Sequence, residues 1–355
     1  MNGFDLNDAE KLKSQRETMI NEGREEELFA KKKEVAWTFS QATDWWLNLP
    51  STKARSDHSR LTFAANKFNQ VFGDKFIKGV KLSELKNYQT QRRQEGQADA
   101  TTDHESHSAG KAAVKALYQD GEISLETWRT WEQFKKLISG RKARKKYART
   151  RVLEIEEYCR LAPHLPRHLK ELVDVALFTG MRKSELIPSR TNGAPTPGLT
   201  RSQVDYENRV IHLTETKTGI ARDIPITGEL ESILKALPRT FGVNNMFIYR
   251  DKPFSDVRTG LIKACKDANI IYGKKIEGGF VFADLRRTAK TLMARAGIDK
   301  AYRDAILGHE SQDMDRHYLH PNFDKDLRLA MERYHSWLVD QIERVATTPA
   351  TQASG

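Results

Sequence analysis

Apolar residues return at helical spacing through most of the first 140 positions. Trp45, Trp46 and Leu49 mark one stretch, and Leu61, Ala64, Ala65, Phe68, Val71 and Phe72 mark the next. Spacings of three and four residues put such side chains on one face of a helix, so these aromatics are expected in a core. Leu82-Ser83-Glu84-Leu85 starts another helix with Ser83 as its cap, and Tyr88, Arg92 and Arg93 carry it to Gly96. A polar stretch over 97–107 precedes a helix over 109–119 and a turn at Asp120-Gly121. Strand-like alternation is lacking here, which predicts four or five helices. Residues 1–33 carry only sparse apolar points, Leu6, Leu12, Met19, Ile20, Leu28 and Phe29, among many charges. They read as a charged helical extension with a thin apolar face.

From Val152 the pattern is helical through Leu186, apart from a turn at Pro163 to Pro166. Thr191 to Pro197 is rich in Asn, Gly, Pro and Thr and predicts a loop. Gln203 to Asp205, Val210 to Leu213 and Arg222 to Ile226 then alternate as short strands, with Lys217-Thr218-Gly219 at a hairpin tip. Everything after about Leu261 returns to helices. The last helix, over 324–345, gathers Leu327, Ala330, Met331, Tyr334, Trp337, Leu338 and Ile342 on one face, and 346–355 is expected to be a disordered tail. The sum is a mainly α chain with one small antiparallel β-sheet in its second part.

Length and charge narrow the class. A chain of 355 residues suits two domains with an appendage. Its 59 basic against 48 acidic side chains leave a net charge of +11, which favours a polyanionic partner, DNA first. Part of the excess is concentrated at 141–151, where Arg141, Lys142, Arg144, Lys145, Lys146, Arg149 and Arg151 stand without an acid. That run is expected to link two domains and to lie on phosphates, setting affinity rather than sequence choice. The two cysteines, Cys159 and Cys265, have neither disulfide nor zinc spacing and read as buried thiols. No apolar run approaches the roughly 20 residues of a membrane helix, and the start is polar, so an intracellular protein without membrane contact is expected.

The chemistry lies in four short boxes. They are Thr179-Gly180-Met181-Arg182-Lys183-Ser184-Glu185-Leu186, then Asp284-Leu285-Arg286-Arg287-Thr288, then Leu307-Gly308-His309, and Tyr318 nine residues after His309. Guanidinium groups are permanently charged forks suited to the non-bridging oxygens of a phosphodiester. Tyrosine forms covalent intermediates but is weak at its ordinary pKa of about 10, so it needs neighbouring cations. Among the rivals to Tyr318, Tyr334 belongs to the packing face of the last helix and Tyr302 precedes His309. Adjacent Arg286 and Arg287 cannot share one helix face.

In these boxes the chain resembles the tyrosine recombinases, the phage-type integrases, well over 152–340 and more loosely over 35–140. The resemblance implies an N-terminal helical core-binding domain (34–140), the basic linker (141–151) and a mixed, mostly α catalytic domain (152–345). It implies site-specific DNA recombination, integration or excision, through a 3′-phosphotyrosine and a four-way junction, without metal or ATP and with no cofactor. Tyr318 would be the nucleophile, Arg182 and Arg286 the phosphate clamp, His309 a donor to a phosphate oxygen and Lys217 the acid for the departing 5′ oxygen. Glu185 and Asp284 would support, and Arg287 would be structural. The implied partners are double-stranded DNA with attachment sites, three further copies of the chain on DNA, and accessory bending or directionality proteins. The implied setting is the cytoplasm of a bacterial or phage-infected cell, at the nucleoid.

Where members of that family most often carry histidine, this chain has Ala283. A DNA-binding regulator with weakened catalysis therefore stays open. So does a type IB topoisomerase-like relaxing enzyme, which shares the nucleophile and the arginines.

Overall fold

Thr38 opens the helix Phe39–Asn48 by a reciprocal cap: its hydroxyl accepts from Gln41 N at 3.3 Å and its own N–H donates to Gln41 Oε1 at 2.9 Å. The computed structural model describes residues 36–138, 149–189, 195–214, 221–309 and 323–347, with isolated positions between 13 and 23. The chain divides into two units, 1–148 and 149–355.

In the first unit, α1 (Phe39–Asn48), α2 (His58–Phe72), α3 (Leu82–Gln94), α4 (Asp99–Asp103), α5 (Ala112–Gln119) and α6 (Leu125–Gln133) are joined by short turns. The aromatics form the core, as their spacing predicts. Phe39 packs 4.9 Å from Trp131 and Phe68 stacks 4.7 Å from Phe72. The start of α3 differs from expectation: Ser83 lies inside the helix, and Glu84 supplies the cap by accepting from Lys81 N at 2.9 Å.

The polar stretch 97–107 is not a surface loop. It forms α4 and continues as a π-helical segment, His104–Lys111, with Thr102, Asp103, Glu105, Ser106 and His107 buried. Buried polar groups require partners, and each carboxylate here has them. Glu105 accepts from Tyr88 Oη at 2.7 Å and from Arg92 at 2.9 and 2.7 Å. Asp103 accepts the N–H groups of Leu137 and Ile138, both at 2.8 Å.

The second unit contains α7 (Ile155–Leu161), α8 (Arg167–Thr179), α9 (Lys183–Leu186), α10 (Gly228–Ala236), α11 (Arg258–Asp267), α12 (Asp284–Arg295), α13 (Lys300–Leu307) and α14 (Phe323–Thr347). Strands β1 (Val204–Asp205), β2 (Val210–Leu213) and β3 (Arg222–Pro225) form an antiparallel sheet in that order. Ile211 pairs with both Val204 and Ile224, and Leu213 pairs with Arg222. Two features were not expected from the sequence, helix α10 and a second small ladder of β4 (Ile248–Tyr249) with β5 (Lys252–Pro253). The last helix extends through Thr347, two residues into the expected tail; positions 348–355 lie outside the described residues.

Leu172, Val175 and Ala176 of α8, Ile211 and Ile224 of the sheet, Leu285, Ala289 and Leu292 of α12, and Met331 and Leu338 of α14 belong to one core. Tyr334 is buried in it and donates to Leu177 O at 2.9 Å, so it is the packing residue its helical face suggests. Cys265 is buried and Cys159 only half-buried; both are free thiols. Among the described residues no helix is long and apolar enough to cross a membrane.

The expected basic linker needs correction at its far end. Arg149 and Arg151 belong to the second unit, and their guanidinium groups are committed internally rather than to a phosphate-facing run. Asp284 is buried and requires a cation. Arg149 supplies it through bonds of 2.7 and 2.6 Å and also donates to the carbonyls of Lys274 and Gly279. Arg151 forks onto Glu157 at 2.8 and 2.6 Å and donates to Gly278 O at 2.8 Å. Lys142, Arg144, Lys145 and Lys146 lie outside the described residues.

Candidate functional site

Two helix ends and one strand bring the boxes together. Helix α8 stops at Gly180, whose φ of 62° is left-handed, and α13 stops at Gly308, whose φ is 57°. Glycine is required at both for a second reason. A Cβ on Gly180 would meet Leu307 Cδ2 at 2.5 Å, and one on Gly308 would meet the Arg222 side chain at 3.0 Å. The two turns thus press against each other and against β3, which fixes the backbone on which the charged side chains stand.

Glu185 is the centre of the arrangement. Its side chain is buried, and it accepts four contacts: Arg182 N at 2.7 Å, Arg182 Nη1 at 2.8 Å, and Arg222 Nη1 and Nη2 at 3.2 and 2.7 Å. Burial alone would raise its carboxyl, but the hydrogen bonds and charge of Arg222, helped by Arg182, overcome this and hold the pKa below the usual range. Glu185 thus holds both the backbone N–H and the guanidinium of Arg182 from three residues away.

Arg222 is the residue that sequence reasoning missed as a site member. It is buried, and its Nε donates to Ile306 O at 2.8 Å, so it ties Glu185 to the end of α13. A Lys-Thr-Gly turn ahead of it drew attention to the hairpin tip instead. The only local signal was an arginine facing inward from an apolar strand.

Arg286 and Arg287 separate as their adjacency predicts. Arg287 turns to Asp284 at 3.0 Å, whereas Arg286 donates to Gly180 O at 2.9 Å and to Leu307 O. Burial, then repulsion from Arg182, pushes the Arg286 guanidinium down to about 9. It remains charged at neutral pH, in a place where a bound anion would relieve the cost. Ala283, at the head of α12, is exposed.

His309 follows Gly308 and is half-buried. Its Nδ1 lies 3.1 Å from Lys290 Nζ and 3.3 Å from Asp304 Oδ1. Burial, Lys290 and Arg286 together lower its pKa, which favours neutral imidazole. Lys290 and Asp304 are the other residues missed from sequence. Lys290 Nζ donates to Asp304 Oδ1 at 2.9 Å, and Lys300 pairs with Asp304 Oδ2 at 2.8 Å. Burial would raise the Asp304 carboxyl, but Lys300, Lys290 and His309 hold it far below the ordinary range.

Of the expected site residues, Arg182, Glu185, Arg286 and His309 therefore stand on neighbouring turns, and Asp284 holds the segment that begins at Arg149. Lys217 and Tyr318 lie outside the described residues. Among the described residues no group of His, Cys, Asp and Glu is arranged to hold a metal ion. Chemically, one buried carboxylate among three guanidinium groups leaves positive charge in excess, and such a cradle suits an anion with several oxygens.

Comparison with known proteins places this architecture. Residues 149–325 match the model of the phage integrase family. The integrase of Salmonella phage P22 is 27% identical over 218 residues, which is 58% of this chain and 51% of that protein. The chain thus spans about half the length of the curated relative it matches. Lambda integrase solved as a dimer on a core site is similar in fold, with a TM-score of 0.63 at 15% identity over 82% of this chain and 95% of that one. The integrase of transposon Tn1549, solved with circular intermediate DNA, gives a TM-score of 0.55 at 22% identity over 81% of this chain and 97% of that one. Through residues 149–325, the chain belongs to the phage integrase family.

Proposed function

We propose that this chain is a site-specific tyrosine recombinase that breaks and rejoins double-stranded DNA. The observation that carries the reading is the cation excess around Glu185: Arg182 and Arg286 stand on adjoining turns, with His309 on the same wall. Arg182 and Arg286 hold the two non-bridging oxygens of the scissile phosphate and take up the charge that grows on them in the transition state. His309 donates to one of these oxygens.

Tyr318 Oη attacks the phosphorus, so an O–P bond forms and the bond from phosphorus to the 5′ oxygen breaks. The tyrosine proton leaves to solvent or a nearby base, and Lys217 protonates the departing 5′ oxygen. The products are a 3′-phosphotyrosine and a free 5′-hydroxyl. Attack by the 5′-hydroxyl of a second duplex reverses the step, forms a four-way junction and needs no ATP or metal. Four copies of the chain act on two duplexes at attachment sites, with residues 34–140 and the basic run at Lys142, Arg144, Lys145 and Lys146 gripping DNA. Support for the oligomer comes from a relative: lambda integrase has been solved as a tetramer on a Holliday junction, with a TM-score of 0.63 to this chain.

On a nicked suicide substrate in EDTA, the wild-type chain is expected to accumulate a covalent adduct, and Tyr318→Phe to bind equally well without one. An undiminished adduct in that variant would sink the assignment. Ala283 motivates a second reading, a DNA-binding regulator with weakened catalysis, because alanine has no proton to exchange. General acid–base help is typically worth about 10² to 10⁴-fold, so its loss slows the reaction without abolishing it. Sequence-specific binding with no adduct under any condition would favour the regulator.

A further inference from the structure

The strand-transfer reading leaves open which nitrogen of His309 carries the proton. Only an N–H can donate to a phosphate oxygen, and neutral imidazole has one N–H and one lone pair. His309 Nδ1 has two neighbours of opposite character. Lys290 Nζ, 3.1 Å away, is a donor without acceptor capacity, and Asp304 Oδ1, 3.3 Å away, is an acceptor.

A proton on Nδ1 would point at an ammonium and compete with it for the same carboxylate oxygen, which Lys290 already occupies at 2.9 Å. A lone pair on Nδ1 instead accepts from Lys290, and the two groups no longer compete for Asp304 Oδ1. The carboxylate is held by Lys290 on one oxygen and Lys300 on the other, so Asp304 keeps the Lys290 ammonium beside the imidazole.

We propose that Lys290 is a positioning residue: its ammonium, braced by Asp304, donates to His309 Nδ1 and fixes the ring in the Nε2–H form that donates to phosphate. The proposal rests on the strand-transfer reading for its use but not for its geometry. The charged groups facing the imidazole among the described residues are Lys290 and Arg286 from α12 and Asp304 from α13. Both cations also favour the neutral ring, which agrees with the lowered pKa of His309. Sequence alone gives no hint of the role, because Lys290 lies nineteen residues before His309 and in a separate helix.

The test uses the full chain, free of DNA and labelled with ¹⁵N at its 10 histidines. His309→Gln identifies the His309 signals in two-bond proton–nitrogen spectra at pH 7.5. The wild-type chain is expected to show Nε2 protonated and Nδ1 bare. Lys290→Met should move the ring to the Nδ1–H form, now donating to Asp304, or to imidazolium, and Lys290→Arg should restore Nε2–H. On the suicide substrate, Lys290→Met should slow adduct formation on the order of 10²-fold with DNA binding kept, and Lys290→Arg should recover most of the rate.

A wild-type His309 protonated on Nδ1, or a spectrum unchanged in Lys290→Met, overturns the proposal whatever the cleavage assay shows. If the wild-type chain forms no adduct, the recombinase reading fails while the spectra still decide the role of Lys290.

Discussion

Both units set an arginine against a buried glutamate, and the two pairs differ in what surrounds them. In the first unit Glu105 takes the Arg92 fork and the Tyr88 hydroxyl, and Arg92 also reaches Glu95. Carboxylates match or outnumber the cation there. In the second unit Glu185 takes Arg222 and Arg182, while Arg286 donates only to carbonyls among the described residues. Cations outnumber the carboxylate. A balanced cluster fastens a fold and an unbalanced one waits for an anion, so the stoichiometry around the buried carboxylate separates structural from functional charge better than the presence of charge does.

The comparison breaks most severely at Glu185. Glu185→Ala would leave Arg222 buried without a carboxylate, and urea unfolding should show a loss of about 3–5 kcal/mol. The first-unit pair should behave as a replaceable fastener. Arg92→Met alone is expected to be strongly destabilising, whereas Arg92→Met with Glu105→Leu should recover most of that loss, since apolar side chains of similar volume often substitute for a buried pair without net cost. If the double variant is no more stable than the single one, the first-unit network is more than a fastener.

Acid sharpens the comparison from a different side. Burial lowers His107 in the first unit to about 4, and His335 in the second to about 4. His335 is locked between Thr227 Oγ1 at 2.6 Å and Phe178 O at 2.8 Å. Both rings are neutral in the folded chain while unfolded histidine protonates near 6.5. Between pH 6.5 and about 4 the unfolded state therefore binds more protons, and stability falls as pH falls, by up to about 1.4 kcal/mol per pH unit for each ring. His335→Gln should flatten that slope in the second unit. The smallest effect is expected at Lys300, an exposed partner of Asp304. Lys300→Ala should shift stability by less than about 0.5 kcal/mol and leave adduct formation within about twofold, because Lys290 still holds Asp304.

The boxes were legible because their information is local. Arg182 with Glu185, Arg286 set apart from Arg287, and the glycine before His309 are all relations within one helical turn. Helical periodicity likewise revealed the aromatic core of the first unit and the packing role of Tyr334. Arg222, Lys290 and Asp304 were illegible because each acts across the fold: Arg222 reaches Glu185 from 37 residues away and Ile306 from 84. The buried polar helix over 99–111 escaped for the same reason, since its polarity is compensated by Arg92 and Tyr88 from α3 and by backbone N–H groups at 137 and 138. Arg149 and Arg151 looked like their basic neighbours until buried Asp284 and half-buried Glu157 claimed them.

Among the described residues Arg286 donates to no carboxylate, and the recombinase reading assigns its charge to the scissile phosphate. Replacing one non-bridging oxygen of that phosphate by methyl removes the negative charge that the guanidinium would meet. Arg286→Ala is expected to form almost no adduct on an ordinary suicide substrate and to regain adduct formation on the methylphosphonate one, with DNA binding similar on both. Equal inactivity of the DNA-bound variant on the two substrates, with the wild-type chain active on the ordinary one, would contradict the account.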